Sequence, residues 1–161
     1  MALAPVILYA EDNDDDFVIL RCALESAALP HRLLGVENGV EALNYLYADA
    51  PYNNRSKFPF PDLVVLDLHM PIMGGLDVLA GVRERIEFQT VPMVILSSDE
   101  DPKMSEAALK LGAKEFLIKP GSVAELVEMV RGLNTRWLEG RKRTIWPGKA
   151  WNPWGEHLPE P

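Results

Sequence analysis

Five short apolar runs, each separated from the next by a stretch long enough for a helix, limit what this chain can fold into. The runs are Val6–Ala10, Arg32–Val36, Leu63–Leu68, Pro92–Leu96 and Glu115–Ile118. Within them, Val6–Ala10, Leu63–Leu66 and Val94–Leu96 are nearly continuous in apolar residues. That is the pattern of central parallel strands covered on both faces, not of half-exposed antiparallel ones. The intervening stretches carry apolar residues at helical spacing: Phe17, Leu20, Leu24 and Ala27, then Val40, Leu43 and Leu46, then Leu76, Leu79, Ala80 and Val82. Met104, Ala108 and Leu111 continue the series, and Val123, Leu126, Val127, Val130, Leu133 and Trp137 close it. Each set makes one apolar stripe on an amphipathic helix.

Strands joined by helix-length connections pair in parallel through right-handed crossovers. The expected architecture is therefore α/β: a flavodoxin-like, doubly wound (βα)5 sandwich with a five-stranded parallel sheet in the order 2-1-3-4-5. A length of 161 residues, 48% of them hydrophobic and 25% charged, suits one globular domain with a real core. Asp49–Pro61, rich in Pro and Asn, reads as a long surface loop before the third strand. The domain is expected to span residues 1–139. Residues 140–161 form a tail rich in Pro, with Trp146, Trp151 and Trp154, too short for a separate output domain. Three tryptophans so close together are expected to dock on the domain, on a second protomer or on a partner.

A net charge of −8 argues against nucleic acid and anionic membrane as partners. The basic triplet Arg141-Lys142-Arg143 reads as a solvated helix end. The single cysteine, Cys22, excludes an intrachain disulfide and a Cys-based zinc cage, and its apolar neighbours place it in the core or half-buried. His31 and His157 have no neighbours at metal-ligand spacing. The start of the chain has no basic region before its apolar run, and no run approaches the ~20 residues that span a bilayer. A cytoplasmic location is the expectation.

The polar residues at the strand ends carry the chemistry. Glu11-Asp12 follow the first run, Asp67 follows Leu63-Val64-Val65-Leu66, Ser97-Ser98 follow the fourth run and Lys119-Pro120 the fifth. A doubly wound sheet opens all these ends on one edge. Three acids crowded together repel unless a cation sits among them, and hard oxygen donors without a His or Cys cluster favour Mg²⁺. With a lysine to pair with an anion and a serine to hydrogen-bond it, the set suits phosphoryl transfer onto an aspartate. Asp14, Asp15 and Asp16 read as solvated acids at the positive end of a helix.

These motifs, in this order on these elements, resemble a bacterial two-component response-regulator receiver domain over about Val6 to Trp137. The resemblance implies that Asp67 is the phosphoacceptor. Asp12 ligates Mg²⁺ directly, Glu11 acts largely through water, and Asp67 with the backbone carbonyl of His69 completes the ligands. Lys119 pairs with the phosphoryl oxygens through a strand end whose bond to Pro120 is cis. Ser97 and Phe116 form the switch that moves the face made by the fourth helix, fifth strand and fifth helix. His69 and Asp99 occupy positions that modulate dephosphorylation. Two residues depart from the commonest pattern: Gly74 where an acidic or polar residue is usual, with an effect expected only in the loop, and Phe116 where a Tyr hydroxyl is frequent.

The function implied is that of a stand-alone phosphorelay receiver, not a turnover enzyme. It takes a phosphoryl group from a partner histidine kinase or phosphotransfer protein and signals by protein–protein contact. The long loop before the third strand and the Trp-Leu-Glu end of the last helix resemble stand-alone receivers paired with bacterial phytochrome kinases. Such receivers often dimerise, through the switch face or here through the tail. A haloacid-dehalogenase-type phosphatase wants a second Asp where His69 stands. A phosphorylation-independent adaptor typically loses one of the acids, the Ser or the Lys, and a flavodoxin needs a hydroxyl- and Gly-rich phosphate loop absent after the first run.

Overall fold

The computed structural model describes residues 3–141. Five strands alternate with five helices: β1 Val6–Ala10, α1 Asp14–Ser26, β2 Arg32–Val36, α2 Gly39–Tyr47, β3 Leu63–Leu66, α3 Gly75–Val82, β4 Met93–Ser97, α4 Pro102–Lys110, β5 Glu115–Ile118 and α5 Val123–Leu133. A 3₁₀ turn at Ile86–Phe88 precedes β4, and a π turn, Asn134–Leu138, continues α5. The strands are parallel in the order β2-β1-β3-β4-β5. The three near-continuous apolar runs are the three central strands, and every residue of β1, β3 and β4 is buried. The strand formed by the third run stops at Leu66, one residue before Asp67, although the Asp67 amide still donates to the Ala10 carbonyl at 2.9 Å.

Alternation along the central strands divides the core in two. Leu8, Ala10, Val64, Leu66 and Ile95 face α2 and α3, with Ala108 of α4. Ile7, Tyr9, Leu63, Val65, Val94 and Leu96 face α1 and α5. Short polar side chains start most helices by accepting from otherwise orphaned amides. Asn13 accepts from the amides of Asp15 and Asp16, Asn38 from Glu41, Asp101 from Lys103, and Ser122 from Glu125. On α1 the residues Leu20, Ala23 and Leu24 turn inward. Cys22 falls on the opposite side and is exposed, against the expectation of a core or half-buried thiol.

The loop between α2 and β3 is ordered by aromatic packing. Tyr45 lies 5.3 Å from Tyr52 and 6.0 Å from Phe58, ring to ring, and its hydroxyl donates to the Pro59 carbonyl. Arg55 donates to the Leu46 and Phe58 carbonyls and stacks over Tyr45 and Phe60. Among the described residues the cis peptide bond is Ala50–Pro51, so Lys119–Pro120 is trans, a correction of the expectation from resemblance. Trans is the isomer an X–Pro bond favours by ~0.5–1 kcal/mol when packing does not select otherwise.

At the far end of the chain, Arg136 and Trp137 both bind Glu115, and Arg141 donates to the carbonyls of Asp62 and Thr90. Arg141 is thus tied to the backbone ahead of β3 and β4 and is not solvated as expected, while Lys142 and Arg143 lie outside the described residues. The tryptophans at 146, 151 and 154 lie outside the described residues. No described helix is long and apolar enough to cross a membrane.

Gly74 and Gly75 fix how α3 leaves the loop after β3. A Cβ at Gly75 would stand 2.5 Å from the Asp67 carbonyl oxygen, and one at Gly74 equally close to that of Leu68. Gly74 therefore answers to a close backbone approach, a stricter demand than the loop effect expected of it. Gly75→Ala should lower stability by about 1–3 kcal/mol, as overpacking against rigid backbone does. Urea unfolding checks this, and an unchanged midpoint would show the approach to be soft.

Candidate functional site

The carboxyl edge of the sheet gathers most of the residues singled out in the sequence. Glu11 and Asp12 follow β1, Asp67 follows β3, Ser97 ends β4 and Lys119 follows β5. One carboxylate oxygen from each of Glu11, Asp12 and Asp67 lies within 4.8 Å of the others. Glu11 and Asp67 are buried and Asp12 is exposed, so the cluster opens to solvent on one side. Backbone bonds hold it there: the Glu11 amide donates to the Val36 carbonyl, and the Asp67 amide to that of Ala10.

Lys119 closes the cluster from the opposite side. Its Nζ lies 2.8 Å from Asp16 Oδ2, 3.0 Å from Glu11 Oε2 and 3.7 Å from Asp67 Oδ2. Burial pulls the ammonium towards neutrality, but hydrogen bonds to Asp16 and Glu11 and the charge of Asp67 outweigh it and hold the pKa above its ordinary value. Asp16 is therefore not merely the solvated first-turn acid expected from the sequence. The local signal could not separate it from Asp14 and Asp15, since all three suit the helix dipole and only tertiary placement brings one to a lysine.

Glu11 is the tightly held acid. Its Oε2 accepts from the Tyr9 hydroxyl at 3.2 Å as well as from Lys119, and its Oε1 accepts from the Asn13 amide. Tyr9, a contributor missed in the sequence, is a buried phenol whose pKa is driven up chiefly by burial and further by Glu11. Burial also pushes the Glu11 carboxyl up to about 7, with the Asp67 charge adding to it and Lys119 opposing it.

Ser97 is fully buried, and its hydroxyl accepts from the Asp99 amide at 3.2 Å. Asp99 in turn meets His69 Nε2 at 2.7 Å, which ties the loop after β4 to the loop after β3. That contact holds the Asp99 carboxyl below its usual range. Phe116 on β5 is half-buried against the α3-side core. The donor set of Glu11, Asp12 and Asp67 is all hard oxygen, and three carboxylates, Glu11, Asp16 and Asp67, lie within 4 Å of the Lys119 ammonium. That set fits a small divalent cation such as Mg²⁺.

Comparison with known proteins agrees with this geometry. The model of the response regulator receiver domain matches residues 7–131. The response regulator Rcp1 of Synechocystis sp. is 29% identical over 134 residues, covering 83% of this chain and 89% of Rcp1. The crystal structure of its Mn²⁺-bound form superposes with a TM-score of 0.75 at 27% identity, over 88% of this chain and 99% of that one. The phosphorylated cyanobacterial phytochrome response regulator RcpA gives 0.77 at 28% identity, over 86% and 97% of the two chains. A response regulator in red light signaling of R. palustris gives 0.81 at 31% identity, over 88% and 99%. Another relative is far longer: the chain spans 18% of a sensory/regulatory protein of Xanthomonas campestris.

With its carboxyl pushed up to about 7 by burial, Glu11 must lose its proton before it can serve a cation. Calorimetric Mg²⁺ titration at pH 6 in buffers of differing ionisation enthalpy should therefore show close to one proton released per ion. The release should fade above pH 8 and vanish in Glu11→Gln. Binding at pH 6 without proton release would mean that Glu11 is already ionised.

Proposed function

The chain belongs to the response regulator receiver domain family, and from that premise we propose that it is a phosphorelay receiver whose phosphoacceptor is Asp67. Receiver domains are signalling proteins and not turnover enzymes. The observation that carries the reading is a buried Asp67 carboxylate at the sheet edge, 3.7 Å from Lys119 and clustered with Glu11 and Asp12.

In this reading one Asp67 oxygen attacks the phosphorus carried by a partner's histidine. The P–N bond breaks, and the imidazole leaves with the bond's electron pair. Lys119 then pairs with the phosphoryl oxygens, and the Ser97 hydroxyl turns from the Asp99 amide to hydrogen-bond them. Glu11, Asp12, Asp67 and the His69 carbonyl would hold Mg²⁺, which when bound neutralises charge on the transferring group. Phe116 follows Ser97, so that a local change of charge biases the face of α4, β5 and α5 towards a second arrangement. His69 and Asp99, joined across the mouth, would set how readily water removes the phosphoryl group.

The phosphodonor is a histidine kinase or phosphotransfer protein, and the relatives make a phytochrome-type kinase the first to test. A homodimer through the α4-β5-α5 face or through the tail belongs to the same reading. So do a cytoplasmic location and a division into a receiver of 1–139 and a tail of 140–161. Nucleic acid and membrane are no part of it, in keeping with the acidic charge.

Acetyl phosphate with Mg²⁺ should give an acid-stable, base-labile phosphoryl adduct by intact mass on wild type and none on Asp67→Asn. An adduct that persists in the Asn variant removes Asp67 from the role. A wild type that binds Mg²⁺ yet takes up no phosphoryl group removes the function.

A further inference from the structure

Asp16 makes the shortest contact that Lys119 has, although neither the strand-end motifs nor the family pattern gives it a part in the reaction. Its Oδ2 stands 2.8 Å from Nζ, against 3.0 Å for Glu11 and 3.7 Å for Asp67. An ammonium has three N–H donors. Glu11 and Asp16 take two, and the separation from Asp67 is beyond hydrogen-bond reach. The contact runs from the first turn of α1 to the end of β5, so it draws the ammonium to the α1 side of the cluster.

We propose that Asp16 is a positioning residue that holds Lys119 off Asp67 until an arriving phosphoryl group draws the ammonium across. This rests on the reading of Asp67 as phosphoacceptor. The two partners of Lys119 differ in how easily they let go. The Glu11 side chain is 2% exposed, and without Lys119 its buried charge would be met only by the neutral Tyr9 hydroxyl and Asn13 amide. The Asp16 side chain is 35% exposed, in a first turn capped by Asn13, where water and the positive end of the helix dipole accept its charge. Asp16 is thus the contact that can break at small cost, while Glu11 keeps the lysine at the site.

With acetyl phosphate as donor, an Asp67 oxygen forms the new O–P bond as the bond from phosphorus to the acetyl oxygen breaks. Acetate leaves with that electron pair. One N–H of Lys119 moves from Asp16 to a phosphoryl oxygen, and no proton is transferred. The phosphorylated state therefore gives up the Asp16 contact and also carries a repulsion between Asp16 and the phosphoryl dianion. An uncharged side chain at position 16 removes both penalties and favours phosphorylation.

The test measures phosphorylated fraction by intact mass against acetyl phosphate concentration, with Mg²⁺ constant. Asp16→Asn should lower the half-saturating donor concentration by about two- to five-fold, the size of a part-exposed ion pair. Asp16→Ser, a second neutral variant, should do the same. Asp16→Glu keeps the charge and should stay near wild type. Asp15→Asn removes a first-turn charge that does not touch Lys119, and should also stay near wild type, which a general effect on the helix would not allow. An unmoved or raised half-saturation in both neutral variants, or an equal shift in Asp15→Asn, overturns the proposal while phosphorylated wild type leaves the functional reading standing. A wild type without adduct overturns the functional reading, and this one with it.

Discussion

One ammonium set among three carboxylates governs this molecule. Lys119 reaches Glu11 and Asp16 directly and approaches Asp67, while Asp12 lies on the open side of the cluster. The fold makes such crowding possible, because parallel pairing puts the carboxyl ends of β1, β3, β4 and β5 on one edge. In the sheet β3 and β4 lie between the strands that lead to Glu11 and to Lys119, so their pair ties the middle of the sheet to its β5 side. The arrangement remains short of positive charge. A divalent cation, and the movement of Lys119 proposed above, would each supply positive charge to an arriving anionic group.

Most of the fold was legible in the sequence, since burial on both faces writes itself as unbroken Val, Ile and Leu. Leu63-Val64-Val65-Leu66 has the pattern of a central strand, and it pairs with β1 and β4. Glu11, Asp12, Asp67, Ser97 and Lys119 were legible because each follows or ends such a run. Asp16 was not, because Asp14, Asp15 and Asp16 look alike to a helix dipole and differ only in what lies across from them. Cys22 was misread because Leu20, Ala23 and Leu24 surround it in sequence but turn to the other side of the helix. The ties of Arg141 to the Asp62 and Thr90 carbonyls left no local trace either, since they join residues far apart along the chain.

The path from the site to the surface is short. The Ser97 hydroxyl accepts from the Asp99 amide, Asp99 meets His69, and Asp101 caps α4 while its own amide donates to Asp99. A turn of the Ser97 side chain thus disturbs a chain of hydrogen bonds that ends at the first turn of α4. Phe116, next to Leu117 on β5, packs into the same side of the core as Met104 and Ala108 of α4. Hydrogen bonds and core packing converge on α4, the helix that the proposed switch would move.

The central question is where Lys119 goes when Asp67 carries a phosphoryl-like group. A crystal structure of the protein with Mg²⁺ and beryllofluoride, a mimic of the acyl phosphate, measures this directly. The expected result is beryllofluoride on an Asp67 oxygen, Lys119 Nζ at hydrogen-bond distance from a fluorine and parted from Asp16, and the Glu11 contact kept. Beryllofluoride bound elsewhere, or Lys119 still on Asp16 with Asp67 modified, would contradict it.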